Sequence, residues 1–367
     1  MDHRSLFLES ADIRAIVGRV GIDALMDDLI ARLTAAIRVF DPASSQVPPR
    51  SGVYYEKPEW GLLEWMPAHL GAQGTTVKLV GYHPANPARR GVPSVVSTIC
   101  VFDSNSGHLQ GLLDGTFITA VRTGAASAVA SRVLALAESR TVGVIGCGAQ
   151  AVTQLHALSR LFTIERIIVH DIDDEVAGTL PDRIRFLDVP VEIVAPESVP
   201  DLLRASDILC TCTSSAPGGG PIFADFDNKP HLHVNAVGSD FQGKFEVPLE
   251  LLQRSLVCPD FHEQAIAEGD CQQLQGRGIG PDLRTLIQNE AAYAYAKAIP
   301  TVFDSTGWAL EDHVAASMML DYAREVGVGR LVEFECLSPD PKDPYSLVPP
   351  LARPSHAPVG AATPNRP

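Results

Sequence analysis

No stretch of this 367-residue chain reaches the ~20 consecutive apolar residues that a membrane-spanning helix needs. The opening Met1-Asp2-His3-Arg4-Ser5 carries no apolar signal core, so a soluble, cytoplasmic protein is expected. Basic residues are scarce: 29 Lys and Arg stand against 44 Asp and Glu, a net charge of −15. That balance argues against a nucleic-acid or anionic-membrane partner, since both need basic surface. The seven cysteines are odd in number and scattered, several within apolar runs. They fit free thiols in a reducing compartment rather than a disulfide framework. Metal-ligand spacing is missing too. Cys210-Thr211-Cys212 and His231-Leu232-His233 have no partner histidine or cysteine at a suitable distance, so no metal is expected. No internal repeat is visible, and the length allows two domains with substantial cores.

What the chain does have is the stretch from Thr141 to Asp171. Val142, Val144 and Ile145 make an apolar strand. Gly146-Cys147-Gly148-Ala149-Gln150-Ala151 follows and opens a periodic helix with Val152, Leu155, Leu158, Leu161 and Phe162. Asp171 then closes a second apolar strand, 20 positions after Ala151. This strand–turn–helix–strand–acid order is the full context of a dinucleotide fingerprint. Gly146 permits the tight turn, Gly148 lets backbone N–H groups approach a pyrophosphate, and Ala151 keeps the helix close to the sheet. The helix N-terminus favours the anion. Asp171 is placed to accept from the adenosine ribose hydroxyls. Its charge repels a 2′-phosphate, so NAD is expected over NADP.

Around this core the texture changes along the chain. Residues 10–13 and 22–40 read as helices, the second with Leu25, Met26, Leu29, Ile30, Leu33 and Ile37 at helical spacing. Residues 53–112 show short alternating runs with turn signals and no crossover helix, which predicts an antiparallel or mixed sheet. A small-residue helix from Thr123 leads into the dinucleotide strand. Strands near residues 167–171, 191–194, 207–213, 233–237, 256–259 and 301–304 then alternate with helices, the pattern of a doubly wound parallel sheet. A last helix over 309–326 should return to the first domain. The fold class expected is therefore α/β, a Rossmann-type sheet plus an α+β substrate-binding and dimerisation domain. The substrate domain would take residues 1–120 and 308–347, the NAD domain 121–307, and a disordered Pro/Ala-rich tail 348–367.

Several polar groups stand where the pattern makes them expensive. Arg50 follows the stiff Pro48-Pro49 pair. Glu64 lies among large apolar residues in Trp60-Gly61-Leu62-Leu63-Glu64-Trp65-Met66, and Lys78 sits alone within an apolar strand. A charge in such a run is costly unless paired or functional. Each of the three could equally be a surface charge. Arg122 stands at the start of the small-residue helix, where a cation opposes the helix dipole, so a reason beyond helix stability is expected. Asp240 follows strand 233–237 and the turn Gly238-Ser239, at the carboxyl end of a parallel strand, where open α/β sheets place ligands. A turn-capping aspartate is the equal alternative.

Together these residues resemble the ornithine cyclodeaminase/μ-crystallin family, nearly end to end from about residue 11 to 347. The matching motifs are Pro48-Pro49-Arg50, Glu64-Trp65-Met66-Pro67, Lys78-Leu79-Val80-Gly81-Tyr82 and Thr119-Ala120-Val121-Arg122-Thr123-Gly124-Ala125. They continue with Gly146 to Ala151, Val234-Asn235-Ala236-Val237-Gly238-Ser239-Asp240, Gly243-Lys244-Phe245-Glu246, and Phe303-Asp304-Ser305-Thr306-Gly307 with Glu311-Asp312. Within the family the chain is similar to the lysine cyclodeaminases of peptide and macrolide biosynthesis.

The resemblance implies an NAD-dependent cyclising ammonia-lyase that turns L-lysine into L-pipecolate and ammonia with no net redox. Ornithine cyclodeamination to L-proline, or an NAD-dependent amino-acid dehydrogenase or cyclic-imine reductase on the same fold, are the alternatives. By position, Arg50, Lys78 and Arg122 fall where the family holds the substrate carboxylate and its neighbours. Glu64 falls where it contacts the side-chain amine, and Asp240 on the essential acid–base residue. Catalytic roles are thus expected for Asp240, Lys78 and Glu64. Cofactor contacts are expected from Thr123, Gly146, Gly148, Ala149, Gln150, Ala151, Asp171, Thr213, Val237 and Ser239. A homodimer is implied, with the first domain's sheet as its interface. Phe245 departs from the family's usual threonine, and Phe241 and Trp308 are expected to add bulk near the site.

Overall fold

Strand Gly61–His69 turns Leu62, Glu64, Met66 and Ala68 inward and leaves Leu63 and Trp65 half-exposed on the other side. That period-two alternation belongs to a sheet with one covered face. In the computed structural model, which describes residues 3–348, it is one of seven strands in the first sheet. Their order is Arg330–Val332, Ser5–Leu8, Leu109–Asp114, Val95–Phe102, Thr75–Tyr82, Gly61–His69 and Ser51–Tyr55. Ser5–Leu8 pairs parallel with Leu109–Asp114 and the other pairings are antiparallel, so the sheet is mixed.

The second sheet has the opposite signature. Strands Thr141–Ile145, Ile208–Thr211, His233–Ala236 and Thr301–Asp304 are buried almost throughout, as parallel strands covered on both faces must be. All its pairings are parallel. The order runs Leu256–Pro259, Thr301–Asp304, His233–Ala236, Ile208–Thr211, Thr141–Ile145, Arg166–His170, Val191–Ile193. Strand order reverses between Thr141–Ile145 and Ile208–Thr211, and the carboxyl ends at that switch point are where such sheets bind ligands.

Helix Thr116–Leu134 lies between the sheets and is buried almost all round. Its alanines, serines and glycine let neighbours approach closely. A Cβ on Gly124 would lie 2.4 Å from the carbonyl oxygen of Thr153, so only glycine lets helix Ala149–Ser159 pack so near. The expected border at residues 120/121 falls inside this continuous helix. Helix Ala309–Val326 comes back across the first sheet against strands Thr75–Tyr82, Gly61–His69 and Val95–Phe102. Helix Ile22–Val39 buries Leu25, Leu29, Leu33 and Ile37 as one stripe against both. The Pro/Ala-rich tail, beyond Val348, lies outside the described residues.

His233 is fully buried within the parallel sheet. Its ring nitrogens meet Thr301 Oγ1 at 2.8 Å and Ser131 Oγ at 2.9 Å. Burial pushes this imidazole down to about 3, against a smaller pull from Asn235. A folded value below the unfolded one gives stability that is complete above the unfolded pKa of 6.5 and drains away as pH falls toward 3. His233→Gln should therefore flatten the acid side of the stability curve. The slope removed approaches ~1.4 kcal/mol per pH unit, measured as urea unfolding free energy between pH 7 and pH 4. An equally steep variant would exclude His233 as the source.

Candidate active site

After strand Thr141–Ile145 the chain turns at Gly146, whose φ is +93° and whose Cβ would lie 2.7 Å from the carbonyl oxygen of Cys212. Only glycine fits there. Gly148 begins helix Ala149–Ser159 with no side-chain cap, and a Cβ on it would meet nothing within 4 Å. The first N–H groups of this helix thus face open space, which suits a phosphate. The turn is held from outside. Asp171 accepts from Cys147 N at 2.6 Å and from Asp173 N at 2.9 Å, while Arg183 donates to the Cys147 carbonyl at 2.7 Å. An open amide cradle beside a fixed carboxylate is the donor and acceptor set that a dinucleotide with a free ribose 2′-hydroxyl requires. Ala151 is buried, and Gln150 looks toward the neighbouring cavity.

That cavity, about 120 Å³, lies between the two sheets at the carboxyl edge of the parallel one. Arg50, Glu64, Lys78, Arg122, Asp240 and Phe241 line it, with Thr123 and Val237 at its cofactor side. All five charged residues singled out in the sequence meet here, although 190 positions separate Arg50 from Asp240. Thr213 gives both its N–H and its hydroxyl to Glu246, and the Ser239 hydroxyl donates to the Lys244 carbonyl. The Ser239 side chain is fully buried. It is absent from the cavity lining, so only its backbone is free to serve a ligand.

Lys78 is 1 % exposed, and its Nζ sits 2.9 and 2.8 Å from the two oxygens of Asp312. Arg122 shares the same carboxylate through Nε at 3.0 Å and gives Nη1 to Glu311 at 2.7 Å. Burial, joined by the Arg122 charge, pushes the Lys78 ammonium down to about 8 against the pull of Asp312. Burial also works against Arg122, but Asp312 and Glu311 outweigh it and hold the guanidinium charged. Glu311 is pushed up by its own burial, opposed by Arg122.

Two sequence expectations need correction. Arg122 does not start its helix, which begins at Thr116; the residue sits a turn and a half inside. The cost it bears is desolvation rather than an opposed dipole, and Glu311 and Asp312 offset it. Trp308 does not add bulk to the site. It packs against Phe40 and Phe261, with ring centroids at 5.0 and 6.2 Å, beside a different cavity. Phe245 is likewise absent from the lining, whereas Phe241 does line the cavity and meets Tyr54 and Trp60 edge-on.

At the other end Arg50 ties the parts together. Its Nε donates to Glu268 at 2.6 Å and its Nη2 to the Asp240 carbonyl at 2.8 Å, and it lies 3.7 Å from Glu64. Glu64 is 3 % exposed and accepts from the Tyr54 hydroxyl at 3.1 Å. Gly307 has φ +96°, and a Cβ there would press within 3.0 Å of the Arg122 guanidinium. Sequence reasoning left Glu268, Lys244, Glu311, Asp312 and Arg183 without a site role. Glu311 and Asp312 entered only as part of the family motif.

The pattern of the ornithine cyclodeaminase/mu-crystallin family matches residues 12–327. An L-lysine cyclodeaminase of Streptomyces rapamycinicus is 42% identical over 337 residues, 92% of this chain and 97% of that protein. An ornithine cyclodeaminase of Agrobacterium tumefaciens is 31% identical, over 93% of this chain and 92% of its own. Among solved structures, a lysine cyclodeaminase studied for its recognition of L-lysine, L-ornithine and L-2,4-diaminobutyric acid superposes with a TM-score of 0.90. It is 43% identical and covers 94% of this chain and all of its own. An archaeal alanine dehydrogenase dimer with bound NAD gives 0.80 at 28% identity, over 90% of this chain and all of its own.

The shared carboxylate makes a direct prediction. Asp312→Asn leaves two buried cations with Glu311 alone, and should destabilise the fold by about 3–5 kcal/mol in urea unfolding. NAD affinity, governed at the Gly146 turn, should change little. A variant as stable as the parent would mean that the cations do not need Asp312.

Proposed function

The chain belongs to the ornithine cyclodeaminase/mu-crystallin family, and from that premise we propose that it converts L-lysine to L-pipecolate and ammonia. The observation that carries this reading is one small cavity where Lys78 and Arg122 stand at one end and Glu64 and Asp240 at the other, beside the dinucleotide turn. NAD is the cofactor, and when bound it would supply reversible hydride acceptance, which would make the overall reaction redox-neutral. Gly146, Gly148, Ala149, Gln150, Ala151 and Asp171 would hold it, with Thr123, Thr213, Val237 and the Ser239 backbone along its length.

Lys78 and Arg122 take the substrate carboxylate and fix the direction of Cα. Glu64 holds the side-chain ammonium. Asp240 takes its proton, because only the neutral amine can add to Cα, which is an imine carbon once its hydride has been removed, and close the ring. The same proton then leaves with the departing α-amine as ammonia. Arg50 orients Glu64 and Asp240 rather than adding chemistry of its own. Curling a flexible diamino acid into this shape is a positioning task, and such pre-orientation can supply roughly 7–11 kcal/mol of the barrier. Ornithine, one methylene shorter, would be disfavoured by only ~1–3 kcal/mol, so slower proline formation is expected alongside.

A division into two functional units belongs to this reading. Residues 1–120 and 308–347 serve the substrate and residues 121–307 the cofactor, with helix Thr116–Leu134 shared between them. The seven free cysteines suit a cytoplasmic setting, and the likeness to a Streptomyces lysine cyclodeaminase suits secondary metabolism, such as antibiotic biosynthesis. The outer face of the first sheet leaves Val53, Leu63, Trp65, Leu79 and Val96 between 39 and 51 % exposed. A contiguous apolar patch of this kind marks an interface, and a second copy of the chain would cover it as a homodimer.

Pure protein given L-lysine and catalytic NAD+ should release ammonia and form pipecolate without NADH build-up, read by mass spectrometry and absorbance. Stoichiometric NADH instead would move the assignment to an amino-acid dehydrogenase. Asp240→Asn should fold and bind NAD while losing turnover by at least ~100-fold, the usual scale of a general acid–base group. An active Asn variant would remove Asp240 from that role. Leu79→Lys should shift the light-scattering mass from dimer to monomer, and an unchanged dimer would place the interface elsewhere.

A further inference from the structure

Asp240 does not stand alone at the cavity rim. The chain bends back at Gly243, φ +82°, where Lys244 N–H donates to the Phe241 carbonyl. This brings Lys244 Nζ to 2.5 Å from Asp240 Oδ1. The two side chains are unequally placed: Lys244 is 2 % exposed and Asp240 39 %. The lysine is held on its other sides as well. Its ammonium lies 5.4 Å from the centre of the Tyr82 ring, and its carbonyl accepts from Ser239 Oγ at 2.6 Å. A buried ammonium fixed in this way has little freedom, whereas the carboxylate it grips faces the cavity.

We propose that Lys244 is the positioning residue of Asp240: its ammonium holds that carboxylate in place and aimed at the cavity until a substrate amine competes for it. The inference rests on the proton-acceptor role given to Asp240 above. The surroundings make a cation necessary. Glu64 and Tyr82 line the same cavity, Glu268 lies close enough to feel the charges of Glu64 and Asp240, and Glu246 lies close to Lys244. Arg50 is spent on Glu268 and on the Asp240 carbonyl rather than on its carboxylate. Burial would lower Lys244, but the charge of Asp240 and its neighbours prevails and holds the ammonium protonated. A proton taken up by Asp240 then sits beside a fixed positive charge, which favours passing it on to the leaving ammonia.

Lys244→Met keeps a flexible chain over Tyr82 and removes the charge. At saturating L-lysine kcat should fall about tenfold or more while KM changes little, because the carboxylate is no longer held at the cavity by its partner. Lys244→Arg should restore kcat, and unchanged quenching of tryptophan fluorescence by NADH checks that the variants fold. An unchanged kcat, or a loss that Lys244→Arg does not rescue, would reduce Lys244 to packing. The same comparison can be made without turnover. The 13Cγ signal of Asp240, assigned by its loss in Asp240→Asn, should lie at a different shift in Lys244→Met and return in Lys244→Arg. A wild-type protein inert toward both diamino acids would overturn the cyclodeaminase reading, and the carbon signal would still decide the role of Lys244.

Discussion

The shared carboxylate of Asp312 is the point on which the site depends. From the first turn of helix Ala309–Val326 it joins Lys78 of strand Thr75–Tyr82 and Arg122 of helix Thr116–Leu134, and its neighbour Glu311 holds Arg122 as well. Three elements from distant parts of the chain are therefore fixed by one set of buried charges. Such a cluster is a poor source of net stability, since desolvation consumes most of the attraction. What it secures is direction. Two cations whose charges are only partly neutralised are held rigid at one end of a cavity, and a ligand carboxylate can join them without further ordering.

The glycines around this cluster set how closely its parts approach. Gly124 allows the central helix to rest on helix Ala149–Ser159, and Gly307 leaves room for the Arg122 guanidinium after strand Thr301–Asp304. Asp260 fixes that second turn by accepting from Gly307 N and from the Thr306 hydroxyl. The ends of the parallel strands are thus held against the rim of the first sheet. This is why Glu64 and Lys78 of the first sheet, Arg50 just before its edge strand and Asp240 beyond strand His233–Ala236 can face a single small volume.

What could be read in the sequence was what local chemistry demands. The Gly146 turn follows from a strand, a glycine pattern and Asp171 within about thirty residues, and the α/β class from the alternation after it. Lys78 and Glu64 were legible as charges in apolar strands, since such positions call for partners or purpose. The partners themselves were hidden, because Arg122 and Asp312 stand 190 positions apart and neither helix shows periodicity that names the other. Trp308 misled for a related reason. Its place in the chain says that it is near Gly307, but not that its ring turns away toward Phe40 and Phe261. Arg122 misled because the helix begins in Thr116-Phe117-Ile118, before the small residues that announce it.

The charge balance of the site bears on which amino acid suits it. Arg50, Lys78, Arg122 and Lys244 are the cations that line or brace the cavity. Glu64, Asp240, Glu268 and Asp312 face them, while burial pushes Glu311 toward its neutral form. An amino acid with an apolar side chain brings one ammonium and one carboxylate and leaves Glu64 and Asp240 with no side-chain cation to hold. A diamino acid brings a second ammonium, and the free carboxylate surface lies at Glu64 and Asp240, away from the Lys78–Arg122 end. In a cavity screened from water that difference is worth more than it would be in solution. The arrangement therefore selects by charge first and by chain length second, and chain length is the weaker filter because a methylene alters only apolar contact.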